Sequence, residues 1–179
     1  MRVVVTEYLS LDGVFEEPGE WSGPFFDDQA RQFKSAELYG SDALLLGRKT
    51  YEGFAAAWPS MTDETGFAYK MNTMPKYVVS STLHQLEWPG SRLISGKVSE
   101  GVRTLKKEPG GDLLLSGSAQ LFNMLRQEGV IDLYRFMVHP VVLGTGRRLF
   151  ADGTHEKSMK LTHTETFSSG IVILEYEPA

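Results

Sequence analysis

The sequence predicts a three-layer α/β domain with a mixed, mainly parallel sheet, and three observations carry that prediction. Short β-branched or leucine-rich runs alternate with stretches of helical periodicity. Three of those runs, Leu44-Leu45-Leu46, Tyr77-Val78-Val79 and Leu113-Leu114-Leu115, each end in a cluster of small polar residues. The chain closes with two β-rich runs joined by Ser168-Ser169-Gly170. Alternation implies right-handed parallel crossovers, whereas the closing pair implies an antiparallel hairpin.

The elements follow in order. Residues 2–9 (RVVVTEYL) are apolar and β-branched and form a buried strand, after which Asp12-Gly13 turns the chain. Residues 16–23 are rich in Pro, Gly and acid and are expected to be a loop. From Pro24 to Tyr39, the residues Phe26, Ala30, Phe33 and Ala36 recur at helical spacing, with Pro24 near the start. Residues 43–46 make a second strand, and residues 49–57 a short helix stopped by Trp58-Pro59. Residues 60–72 are polar and mixed and carry no assignment. Residues 76–80 and 92–94 read as strands, 98–108 as a surface helix closed by Pro109-Gly110-Gly111, and 112–115 as a buried strand. Residues 118–128 read as a helix, 132–143 as a long strand, and 160–167 with 171–177 as the hairpin.

Bulk properties narrow the function. A chain of 179 residues fits one domain spanning residues 1–179. Its 41% hydrophobic and 23% charged residues are ordinary for a globular protein. A formal net charge of -5 argues against nucleic acid or an anionic membrane as partner. There is no cysteine, which excludes disulfides, thiolate nucleophiles and cysteine-ligated metals. The four histidines show no HxH or HExxH spacing, so no metal site is expected. The N-terminus lacks a signal-peptide pattern, and no run approaches the ~20 apolar residues of a membrane span, so the cytoplasm is the expected location.

The three strand-end corners are the candidate chemistry, because ligands of open α/β sheets bind outside the carboxyl ends of strands. Gly47-Arg48-Lys49-Thr50, Ser80-Ser81-Thr82 and Ser116-Gly117-Ser118-Ala119-Gln120 each offer small side chains, backbone N–H groups and hydroxyls. Arg48 adds a bidentate fork and Lys49 a point charge. Taken singly, each reads first as an ordinary helix cap.

Taken in order, five segments resemble the dihydrofolate reductase fold, and more closely the C-terminal reductase domain of the bifunctional riboflavin-biosynthesis protein. They are Ser10-Leu11-Asp12-Gly13-Val14, Leu46-Gly47-Arg48-Lys49-Thr50-Tyr51-Glu52, Val78-Val79-Ser80-Ser81-Thr82-Leu83, Leu115-Ser116-Gly117-Ser118-Ala119-Gln120-Leu121, and Asp132-Leu133-Tyr134 leading into His139-Pro140-Val141-Val142-Leu143-Gly144. The resemblance implies NADPH as cofactor. Arg48 would approach the adenosine 2′-phosphate, Gly47 would allow close approach, and Lys49 and Thr50 would hold the pyrophosphate. Ser80 and Ser81 would line the adenosine ribose. Gly117 and Ser118 match a Gly-Gly pair, here with serine second, and Ala119, Gln120 and Leu121 would offer helix N-terminal amides. Asp12 would sit near substrate and nicotinamide, orienting an aminopyrimidine or relaying a proton; a plain Asp-Gly turn is the alternative.

In folate reductases a helix carboxylate four residues before a Phe-Lys pair binds the pterin. Here that position is Gln29, with Asp27 and Asp28 just upstream, so Asp28 and Gln29 are the candidate substrate contacts; solvated helix-start charges are the alternative. The Gly144-Thr145-Gly146-Arg147-Arg148 run offers a substrate-phosphate site or a surface loop. The implied activity is NADPH-dependent reduction of a small heterocycle, most like 5-amino-6-(5-phosphoribosylamino)uracil. A divergent dihydrofolate reductase and a non-catalytic nucleotide-binding module are the alternatives. The resemblance also implies a homodimer.

Overall fold

A computed structural model describes residues 1–150 and 152–179. The described strands are β1 (Arg2–Leu9), β2 (Ser41–Gly47), β3 (Lys76–Val79), β4 (Ser91–Ile94), β5 (Asp112–Ser116), β6 (Leu133–Val138), β7 (Met159–Thr166) and β8 (Val172–Pro178). The helices are α1 (Pro18–Trp21), α2 (Asp28–Tyr39), α3 (Arg48–Ala57), α4 (Phe67–Thr73), α5 (Val98–Lys107) and α6 (Ala119–Gln127). The strands form one sheet in the order β4-β3-β2-β5-β1-β6-β8-β7. Pairings β3/β4, β2/β3, β2/β5 and β1/β6 are parallel, whereas β6/β8 and β7/β8 are antiparallel. The mixed, mainly parallel sheet with an antiparallel C-terminal hairpin is therefore the fold the sequence predicts. No helix among the described residues is long and apolar enough to cross a membrane.

The chain divides into two compact units, each assembled from separated stretches. The first is Met1–Val3 with Ser35–Ile131, the second Val4–Lys34 with Asp132–Ala179. In the first unit, Leu44, Leu45 and Leu46 of β2 and Leu113, Leu114 and Leu115 of β5 are all buried, together with Tyr51, Leu121, Phe122 and Leu125 from α3 and α6. Strands covered on both faces lose the apolar–polar alternation and read as continuous apolar runs. In the second unit, Ala30, Met137, Phe167, Ile171 and Ile173 pack with Tyr8, Phe25, Phe26 and Phe33.

Four expectations are corrected. Residues 16–23 are not all loop, because Pro18 at the first helical position starts the single turn α1, and a 3-10 turn follows at Gly23–Phe25. The next helix begins at Asp28 rather than Pro24. The Asp27 carboxylate accepts from the Ala30 N–H at 2.9 Å, the geometry of an N-cap. The unassigned stretch contains α4, whose first amides, Phe67 and Ala68, donate to the Asp63 carboxylate at 3.1 and 2.6 Å. The long strand stops at Val138, where Pro140 brings no N–H and Val141 N–H donates to His139 O at 2.8 Å in a three-residue turn.

Candidate active site

The register of the sheet gathers the three corners. Strand β2 lies between β3 and β5, and Leu46 pairs with Val78 on one side and Ser116 on the other. The three strands are parallel and end level, so Gly47, Ser80 and Gly117 leave the sheet side by side. Corners separated by more than thirty residues of sequence thus become neighbours within the first unit.

Two of the three corners interlock. A Cβ on Gly47 would lie 2.2 Å from Ser118 Oγ and 2.6 Å from Ser118 Cβ. A Cβ on Gly117 would lie 2.6 Å from Thr50 Oγ1, and Gly117 itself has φ +63°. Each glycine therefore admits a hydroxyl residue of the opposite corner, at a distance where a Cβ would clash with it. Gly47 is the N-cap of α3 and Ser118 the N-cap of α6, and neither helix has a side-chain cap. Among the described residues no side chain caps the first-turn amides of either helix, and both positive dipole ends meet in one small-residue corner. Ser118 holds φ 56°, a left-handed conformation costing a non-glycine residue about 1–2 kcal/mol. The Gly117–Ser118 peptide is trans.

The remaining first-unit candidates divide by exposure. Arg48 and Lys49 are exposed and Thr50 is half-buried. Arg48 stands 3.6 Å from Glu52 one turn along α3, a surface pair of small energy that leaves the guanidinium free to swing. Ala119 and Leu121 are buried, so their backbone alone can face a ligand, whereas Gln120 is exposed. The third corner differs. Ser80 Oγ accepts from the N–H groups of Thr82 and Leu83 at 3.1 and 3.0 Å, so this hydroxyl closes its own turn, beside an exposed Ser81. Two uncapped helix starts, an interlocked cradle and two exposed cations fit a pyrophosphate-bearing dinucleotide.

In the second unit, Asp12 ties loops together. Its Oδ1 accepts from Ser10 Oγ at 2.7 Å and from Leu143 N–H at 3.1 Å, and its Oδ2 accepts from Gly144 N–H at 2.9 Å. Arg148 Nε donates to the Asp12 carbonyl at 2.8 Å, and Arg147 pairs with Glu16 at 2.6 Å. The Ser10 hydroxyl, followed by the Leu143 and Gly144 amides, lowers the Asp12 carboxyl to about 2. Because the folded value lies below the ordinary 3.8, the stabilisation is complete above that value and is lost only as pH falls through about 2. An asparagine here would turn an N–H₂ toward one of the donors it replaces an acceptor for. Asp12→Asn is therefore expected to loosen residues 141–148, and limited trypsin digestion after Arg147 and Arg148 should run several-fold faster than in the parent chain. An unchanged digestion rate would mean that the carboxylate does not hold the loop.

The start of α2 is also occupied by structural bonds. Asp28 is exposed and paired with Arg31 at 2.6 Å. Gln29 Oε1 accepts from Ser168 N–H at 2.7 Å, and Asp27 Oδ2 accepts from Ser168 Oγ and Ser169 N–H at 2.9 and 3.1 Å. These bonds fasten the β7–β8 turn onto the helix. Ser10, which the resemblance quotes without a role, and Glu16, read as part of a loop, hold this arrangement; a serine two residues before an aspartate is a recognisable local hydrogen-bonding pattern.

Comparison with known proteins agrees with the fold. The chain is 35% identical over 179 residues to the uncharacterized protein YyaP of Bacillus subtilis (strain 168), covering 98% of this chain and 94% of that one. A crystal structure from Shewanella sp. PV-4, provisionally assigned to riboflavin biosynthesis, superposes with a TM-score of 0.80 at 19% identity, covering 100% and 99% of the two chains. Enterococcus faecalis dihydrofolate reductase, complexed with NADP(H), superposes with a TM-score of 0.65 at 14% identity, covering 99% of this chain and 96% of that one. At such identities the two structures speak for the fold, which is dihydrofolate reductase-like. Residues 2–173 match the family described as the RibD C-terminal domain, and with nearly the whole length accounted for, the chain belongs to that family.

Proposed function

We propose that this protein is an NADPH-dependent reductase that delivers hydride to a C=N or C=O bond of a small nitrogen heterocycle, closest in chemistry to 5-amino-6-(5-phosphoribosylamino)uracil reductase. The observation that carries the reading is the interlocked corner, in which two uncapped helix starts are brought together on adjacent parallel strands. Dihydronicotinamide, when bound, supplies the hydride. The chain's own groups bind and orient. The first-turn amides of α3 and α6, with Thr50 and Lys49, hold the pyrophosphate, and Arg48 reads the 2′-phosphate. Ser81 lines the ribose, while Ser80 shapes its turn. Asp12, ionised and already accepting three hydrogen bonds, acts as an orienting group for the loops around it rather than as a proton donor.

The folate-reductase alternative is the weaker one. Asp27 Oδ1 already caps the helix, Asp27 Oδ2 and the amide oxygen of Gln29 already hold the hairpin turn, and Asp28 faces solvent beside Arg31. A pterin would find no unengaged buried acceptor on this helix.

Arg48→Ala is expected to weaken NADPH binding about 10- to 100-fold, the value of one or two charge-assisted hydrogen bonds, while leaving NADH binding unchanged. Titrations of both cofactors against tryptophan fluorescence check this, and equal losses for both would remove Arg48 as the reader. Turnover is checked by mixing NADPH-loaded protein with aminopyrimidines and pterins and following reduced-nicotinamide absorbance. Persistent absorbance with every compound would favour the nucleotide-binding module. A homodimer belongs to the same proposal, with the edge strand β7, exposed from Lys160 to Thr166, open to pairing. Light scattering should return twice the chain mass, and a monomer at micromolar concentration would refute it.

A further inference from the structure

His139 follows directly on β6 in a setting that no structural need explains. Its side chain is fully buried, and its backbone N–H donates to Leu9 O at 2.7 Å. One ring nitrogen, Nδ1, lies 3.0 Å from Met137 O, which makes it the N–H and leaves Nε2 as an acceptor. No donor among the described residues reaches Nε2. A buried acceptor without a donor costs about 1–3 kcal/mol, which a phenylalanine would avoid.

Three half-buried aromatic rings surround the imidazole. Tyr8 lies tilted at 5.2 Å between centroids, Trp21 stands edge-on at 5.2 Å and 88°, and Phe25 stands at 6.2 Å and 69°. The Trp21 ring is the most weakly held of the three. It rides on the four-residue α1, entered through Glu17 at φ 46° and left through a 3-10 turn, and its Nε1 donates to the nearby Glu16 O at 2.9 Å. A left-handed non-glycine residue before a single helical turn is a place where the backbone stores strain and can rearrange.

We propose that His139 is a substrate-recognition residue whose Nε2 accepts a hydrogen bond from an N–H or amino group of a planar nitrogen heterocycle, the heterocycle taking the position that the Trp21 ring occupies beside Tyr8 and Phe25. The slot suits a flat ring of indole size or smaller, stacked or edge-on against aromatic faces, with a donor on one edge. The proposal rests on the reductase reading in that it names the substrate chemistry for the same protein, and it assigns to His139 a specificity role rather than a chemical step.

The test uses 2,4-diaminopyrimidine and its donor-free analogue 2,4-dimethylpyrimidine, titrated into the full chain with and without NADPH, with Trp21→Phe identifying the Trp21 emission. The diamine should red-shift that emission and bind about tenfold more tightly than the dimethyl compound, as one unpaired acceptor gains its donor. His139→Phe should abolish this preference while keeping NADPH affinity. Equal binding of the two probes, no change in Trp21 emission, or a preference surviving in His139→Phe would each overturn the proposal. If His139→Phe does not fold, Trp21→Ala serves, because removing the competing ring should tighten diamine binding several-fold, and unchanged or weaker binding overturns the proposal. Loss of NADPH binding by the parent chain would defeat the reductase reading alone, since the probe preference is read without cofactor.

Discussion

Gly47→Ala should destabilise the protein by about 1–3 kcal/mol, the usual consequence of forcing a methyl into a filled space. The new Cβ meets Ser118 at 2.2 and 2.6 Å, and the second of these atoms is a Cβ that no side-chain rotation can withdraw. The helix starts of α3 and α6 must then separate, and NADPH affinity should fall more than tenfold with the amides no longer converging. Ser118→Gly supplies the control. Alone it relieves a left-handed serine, so it should leave stability unchanged or slightly raised, glycine's larger unfolded-state entropy offsetting part of the gain. In combination it should restore most of what Gly47→Ala removes. Urea unfolding of the four chains gives the coupling energy directly, expected in the range of about 0.5–3 kcal/mol for residues in contact. If Gly47→Ala costs the same in both backgrounds, contact with Ser118 is not the cause.

Lys76→Met should change how stability depends on alkaline pH. Lys76 is fully buried in β3, and its Nζ donates to Asn72 O at 2.7 Å and to Pro89 O at 3.0 Å and lies 4.2 Å from the Trp88 ring centroid. Burial pushes its pKa from 10.5 down to about 8. Between those values the unfolded chain holds the proton that the folded chain has released, so stability rises with pH across that window. The slope approaches about one proton per molecule. Below about 8 both states carry the charge and the full burial penalty remains. Methionine keeps the length of the stem without a titrating group, so the variant's profile should lack this rise. Urea midpoints measured from pH 7 to above the ordinary lysine value compare the two chains, and parallel profiles would show that the amine is as well solvated folded as unfolded.

Much of this architecture was legible because parallel strands and their corners write themselves in local chemistry. The triple leucines of β2 and β5 announce strands covered on both faces, and the glycines and serines that follow announce the corners. What could not be read was the pairing of corners, since Gly47 against Ser118 and Gly117 against Thr50 are contacts across many intervening residues. Asx and serine caps were the second gap. Asp63 begins α4 from four residues upstream, and Ser80 spends on its own turn the hydroxyl that a cofactor contact would need. At β6 the apolar run Val141-Val142-Leu143 invited an extended strand, but Pro140 had already removed the ladder donor. The carboxylates of α2 were visible in sequence, whereas their use by the distant β7–β8 turn was not.

The split organisation of the chain sets the timing of its birth. Val4 opens the stretch that belongs with Asp132–Ala179, and its strand partner in that unit is Leu133. The ribosome therefore makes the valine-rich first strand early and cannot offer it that partner until residue 133 has been added, on the order of ten seconds later at about 5–20 residues per second. Residues Ser35–Ile131, with the neighbouring strand β5, are complete within that interval, but the β6 side of the first strand stays open, an apolar β-forming edge of the kind that recruits chaperones or finds another nascent chain. That open edge is a hazard of synthesis, closed once β6 is in place.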